Sequence, residues 1–88
     1  MKVNDTLIFD RIINIINLTK DLQRFEKEEV IDRLMSNDPT LDKARLEHNV
    51  GEALLFGVVV EAFDIDAEEG FYSITPKTMT VLRNMGVM

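Results

Sequence analysis

The chain has 88 residues, 45% of them apolar and 30% charged, with no cysteine and a net charge of −6. That length supports one hydrophobic core and not two, and the apolar share excludes a disordered chain. The missing thiols exclude a disulfide framework and thiolate metal sites, and the acidic balance disfavours phosphates and anionic membranes as partners.

The charge is unevenly spread: residues 1–40 sum to −2, 41–57 to −1, 58–75 to −5 without any basic residue, and 76–88 to +2. Asn4, Asp5, Asp10 and Arg11 interrupt any apolar run near Met1. No stretch approaches the roughly 20 apolar residues of a membrane span, so a soluble, cytoplasmic protein is expected.

From Asp5 to Gln23 the pattern predicts a helix. Leu22, Ile15, Ile8, Ile12, Ile16, Phe9 and Ile13 fall within an arc of roughly 180°, wider than the stripe a surface helix needs, so this helix is expected to bury two sides. A second, shorter helix is expected over Phe25–Ser36, with Phe25, Val30, Ile31, Leu34 and Met35 at helical spacing. Glu26, Glu28 and Glu29 stand in its first turn, where carboxylates favour the positive helix end.

Asn37-Asp38-Pro39-Thr40 reads as a turn in which Asp38 or Thr40 caps a third helix, Leu41 to Phe56. Leu46, Val50, Ala53 and Leu54 share one face of it, and Gly57 is expected to close it in the left-handed conformation. Val58 to Phe63 then reads as a strand, Asp64 to Gly70 as a polar turn and Phe71 to Thr75 as a second strand. Thr75-Pro76 offers an N-cap followed by proline at the first position of a last helix, which Gly86 ends.

Three helices, the second and third joined by a short turn, then a hairpin and a short C-terminal helix make an α+β chain in one domain. Glu29-Val30-Ile31-Asp32-Arg33-Leu34, Ala53-Leu54-Leu55-Phe56-Gly57-Val58-Val59 and Phe71-Tyr72-Ser73-Ile74-Thr75-Pro76 resemble, in turn, the second helix, the junction of recognition helix and first wing strand, and the closing strand of the winged helix-turn-helix superfamily. The resemblance covers residues 5–86 and implies a winged-helix fold. Members serve as DNA readers, protein-docking modules and dimerisation elements, so the fold alone does not fix the function.

A DNA reader of this type would use Lys43, Arg45, His48 and Asn49 on the third helix, but Asp42, Glu47 and Glu52 offset them and the wing carries Asp64, Asp66, Glu68 and Glu69. Lys2, Arg11, Lys20, Arg24, Lys27 and Arg33 form a candidate compensating basic patch. The four wing acids are also a candidate docking surface for a basic partner, against the plainer reading of a solvated turn.

A calcium loop over Asp64–Glu68 fails on spacing, because glycine stands at Gly70 and Thr75 occupies the position that needs a bidentate glutamate. His48 is the only histidine, and Gly51, Gly57, Gly70 and Gly86 are isolated, so neither an enzyme, a cofactor nor a metal is expected. The breadth of the first helix and the apolar C-terminus make Ile8, Ile12, Ile16, Met85 and Met88 a candidate homodimer interface, with closure of the chain's own core the competing reading. The leading expectation is a non-catalytic regulatory or adaptor module with a protein partner, a type common among phage and mobile-element proteins. The alternative is a DNA-binding transcriptional regulator.

Overall fold

A computed structural model describes the backbone of residues 2–86 and the side chains of residues 7–86. In chain order the elements are α1 (Lys2–Thr19), α2 (Lys27–Asn37), α3 (Lys43–Val59), β1 (Phe63–Asp66), β2 (Phe71–Ile74) and α4 (Pro76–Asn84). The α+β class and the order of elements match the sequence reading.

The core forms where α1, α2 and α3 converge. Ile12, Ile15 and Ile16 enter from α1, Val30 and Ile31 from α2, and Val50, Ala53 and Leu54 from α3. Each aliphatic side chain of this kind contributes about 1.5–3 kcal/mol on burial, and so the helices are held by packing more than by their own propensity. Thr19 is polar and fully buried, but its hydroxyl donates to the Ile15 carbonyl one turn back at 2.7 Å, so no buried donor is left unmade.

Phe25 departs from the sequence reading. It precedes α2 and does not belong to it: its N–H donates to the Tyr72 carbonyl and its carbonyl accepts from the Tyr72 N–H, both at 2.8 Å. Its buried ring meets Phe63 edge-on at 5.9 Å and stacks on Tyr72 at 6.0 Å. The chain between α1 and α2 is thereby tied to the hairpin.

Asp42, and neither Asp38 nor Thr40, caps α3, its carboxylate accepting the Ala44 N–H at 3.0 Å. Asp38 is occupied locally, taking the N–H of Thr40 at 3.1 Å and its hydroxyl at 2.5 Å, which closes a turn ahead of the helix.

The far end of α3 is a larger correction. Gly57 does not terminate the helix; it lies inside it, buried, and α3 continues through Val59. The left-handed residue is Glu61, at φ 66°. Its N–H reaches the Val58 carbonyl at 3.1 Å and the next N–H, Ala62, reaches the Gly57 carbonyl at 2.7 Å, a paired closure of the helix end. A Cβ on Gly57 would stand 2.3 Å from Cδ2 of Phe63, so the glycine serves close approach and not a turn.

With α3 longer than expected, β1 starts at Phe63 and not at Val58. It pairs antiparallel with β2 in the register Phe63↔Ile74, Asp64↔Ser73, Ile65↔Tyr72 and Asp66↔Phe71. Gly70, at φ 74°, returns its N–H to the Asp66 carbonyl at 2.8 Å and closes the turn. Thr75 caps α4 as expected: its hydroxyl accepts the Thr78 N–H at 3.2 Å and donates to the Glu61 carbonyl at 2.8 Å. The left-handed corner and the last helix are thus tied through one side chain.

Candidate partner-binding surface

Asp64, Asp66, Glu68 and Glu69 are all exposed on the hairpin. Strand alternation puts Asp64 and Asp66 on the outer face, opposite Phe63 and Ile65. The Asp66 carboxylate is turned into the turn, accepting the N–H groups of Glu68 at 3.2 Å and Glu69 at 3.3 Å. This makes Asp66 a builder of the hairpin as well as a source of charge.

Of the four α3 residues named for DNA reading, Arg45, His48 and Asn49 stand at i, i+3 and i+4 on one face, and Lys43 lies apart from them. Lys43 leans to α2, its Nζ 4.0 Å from Glu28 Oε2. Arg45 lies about 200° round the helix from Lys43, by the helical period of 100° per residue. His48 points outward with Nε2 3.6 Å from Glu52 Oε2, while half-buried Asn49 turns toward α1.

The basic residues of the first half are also dispersed. Arg11 faces Glu52 at 3.9 Å, and Arg24 lies over the Phe71 ring at 4.2 Å. Arg33 hydrogen-bonds the Leu18 carbonyl and Asp21, closing the end of α1. Lys2 has no described side chain. The Arg33 hydrogen bond holds the Asp21 carboxyl below the usual carboxylate range. Asp38 is lowered likewise, by the Thr40 hydroxyl and then its N–H.

Toward its C-terminal end, the exposed stripe of α3 that begins with Arg45, His48 and Glu52 becomes apolar. Below Glu52, Leu55 is 64% and Val59 76% exposed, one turn apart on one stripe. On α1, Phe9 and Ile13 form a second such pair, at 47% and 55%. The two helices meet through Phe9 and Phe56, whose rings contact edge to face at 5.5 Å. Val60, next to this contact at the end of α3, is also exposed. Sequence reasoning placed Val58–Val60 in a strand and so missed this surface. The available signal was the run from Leu54 to Val60, apolar on more sides than one helix face can bury.

Two of the dimer candidates are corrected. Ile12 and Ile16 are 3% and 6% exposed, packed in the chain's own core and out of reach of a second copy. Ile8 is half-buried, Met85 is exposed, and Met88 lies outside the described residues. The exposed side of α1 is the Phe9–Ile13 side.

A cavity of about 150 Å³ opens between α1, α2 and α3. Ile15, Val50 and Ala53 make its floor and Leu34 and Leu46 its walls, while Arg11, Asn14 and Asn49 bring polar groups to it. Among the described residues no group of three or more His, Asp or Glu side chains is placed to hold a metal ion, and no helix is long and apolar enough to cross a membrane. Comparison of the chain with protein-family models, with curated proteins and with solved structures finds no match.

Proposed function

We propose that the chain is a non-catalytic regulatory or adaptor module of the winged-helix type that docks a protein partner on the apolar surface of α1 and α3. The acidic hairpin steers a basic partner toward it. The observation that carries this reading is the outward face of α3, where Leu55 and Val59 stand exposed beside Glu52. The stripe carries Arg45 and His48 at its N-terminal end, but a helix entering a DNA groove needs cations and amides along it, whereas a protein interface gains from apolar side chains ringed by charge.

Two features support the winged-helix reading, namely α2 and α3 joined by a short turn, and a hairpin packed against α3 through Phe63 and Gly57. The hairpin charge adds long-range attraction for a cationic partner and repulsion for phosphate. Against the DNA-reading alternative, Lys43 lies apart from Arg45, His48 and Asn49, His48 stands beside Glu52, and half-buried Asn49 lines the cavity next to α1.

The test pairs two measurements. Leu55→Asp with Val59→Asp alters only exposed positions, so the variant keeps the wild-type melting temperature but loses the protein that co-purifies with the wild type from its native host. In parallel, mixed duplex DNA is titrated across a salt series. Tight binding at low salt that falls steeply as salt rises and weakens in Arg45→Gln would favour the DNA reading instead.

A further inference from the structure

We propose that the cavity between α1, α2 and α3 binds a small monocarboxylate with a compact apolar tail about the size of one ring. The site is separate from the docking surface and rests on its own geometry. Its volume, about 150 Å³, is that of cavities that take up a single benzene-sized molecule. The floor is apolar and buried, and Ala53 supplies its smallest side chain, which is what leaves the space open.

The polar groups select the charge. Arg11 offers a planar pair of N–H donors that matches a carboxylate, and the amides of Asn14 and Asn49 add neutral donors beside it. Arg11 is available for the exchange: its partner Glu52 is 3.9 Å away, beyond hydrogen-bonding distance, and both groups are more than a third exposed. A pair of that kind contributes little that a ligand carboxylate would have to replace. Glu52 keeps a second partner when displaced, because its other oxygen already faces His48 at 3.6 Å. A neutral tail without the carboxylate fills the floor but leaves the guanidinium unused, and a carboxylate without the tail has no apolar contact.

The probes are benzoate, benzyl alcohol and acetate, titrated into the ¹⁵N-labelled protein and followed by two-dimensional NMR. Benzoate is expected to give saturable shifts at the Asn14 and Asn49 side-chain amides and at the Ala53 amide. Benzyl alcohol binds about tenfold more weakly, the ratio that one charge-assisted contact carries. Acetate does not saturate. Arg11→Gln, at a part-exposed position, brings benzoate down to the level of benzyl alcohol, and Leu46→Phe fills the wall and removes both.

Benzoate shifts that stay linear into the tens of millimolar, or that scatter over the surface, would overturn the proposal. So would equal affinity for benzoate and benzyl alcohol, or benzoate binding unchanged in Arg11→Gln. Should Leu46→Phe lose a dispersed spectrum, the Arg11→Gln comparison still decides. Failure here leaves the docking surface untouched, since Leu55 and Val59 lie outside the cavity.

Discussion

Replacing Gly57 by alanine changes one methyl group at the place where α3 meets the hairpin. In a helix interior alanine is favoured over glycine by about 1 kcal/mol, so propensity alone predicts a more stable protein. Packing predicts the reverse. The new Cβ would fall 2.3 Å from Cδ2 and 2.5 Å from Cε2 of Phe63, against the roughly 3.5–4.0 Å at which carbons attract. The ring would have to retreat by more than about 1 Å. It has little room, being 1% exposed and edge-on to Phe25 at 5.9 Å. Overpacking of this kind costs about 1–3 kcal/mol, and the clash at 2.3 Å belongs at the upper end of that range, so Gly57→Ala should lower stability by up to about 2 kcal/mol after the propensity gain. Urea unfolding measures it. The same substitution in a Phe63→Leu background, where the ring edge is gone, should be neutral or stabilising by up to about 1 kcal/mol. A wild-type background in which Gly57→Ala stabilises the fold, or a cycle in which the two changes simply add, would refute the close-approach role.

Three further outcomes follow from the same geometry. Glu61 holds φ 66°, a conformation that costs an L-residue about 1–2 kcal/mol, so Glu61→Gly should raise stability by about 0.5–1 kcal/mol once glycine's extra chain entropy is counted; a loss in urea unfolding would contradict this. Thr75→Val removes both the cap on Thr78 N–H and the bond to the Glu61 carbonyl, and about 2 kcal/mol should be lost, whereas Thr75→Ser should recover most of it. Asp21 is lowered chiefly by its hydrogen bond from Arg33, so its contribution is present above the ordinary carboxylate range and disappears as the pH falls through its lowered folded-state pKa. Melting temperatures of wild type and Asp21→Asn should therefore differ at neutral pH and converge in acid; a gap that widens on acidification would show the sign to be wrong.

The elements read well from sequence are those whose signals are local. Thr75-Pro76, the glycine that ends the hairpin turn at Gly70, and Gly86, which adopts φ 75° beyond α4, each carry a conformational preference within a few residues, although the turn expected from Asp64 begins only after Asp66. Several boundaries are misplaced in the sequence reading: α1 ends at Thr19 and not at Gln23, so Leu22 lies beyond it, and the two errors at Phe25 and Gly57 depend on distant partners. Phe25 fits the helical spacing of Val30 and Leu34, yet two backbone bonds and a ring stack with Tyr72 outweigh it, and nothing near Phe25 encodes Tyr72. Gly57 carries the residue type of a helix stop, but its missing side chain answers to Phe63, while a glutamate takes the left-handed position.

The breadth of the apolar arc on α1 was visible in the pattern. Which part of it the chain covers was not, because Ile12 and Ile16 differ from Phe9 and Ile13 only in what packs against them. The layout of the α3 polar residues was half legible: spacing alone sets Lys43 apart from Arg45, His48 and Asn49 on a helix, but the tie of Lys43 to Glu28 and the place of Asn49 in the cavity required the fold.

The central claim is that α3 presents its outward apolar stripe to a protein. The most direct measurement places a photo-crosslinking amino acid at Val59 and, separately, at Arg45, and irradiates cells of the native host expressing each variant. The account predicts a discrete protein adduct from position 59 that disappears when Leu55→Asp is added. Nucleic-acid adducts from position 45, with none to protein from position 59, would contradict it.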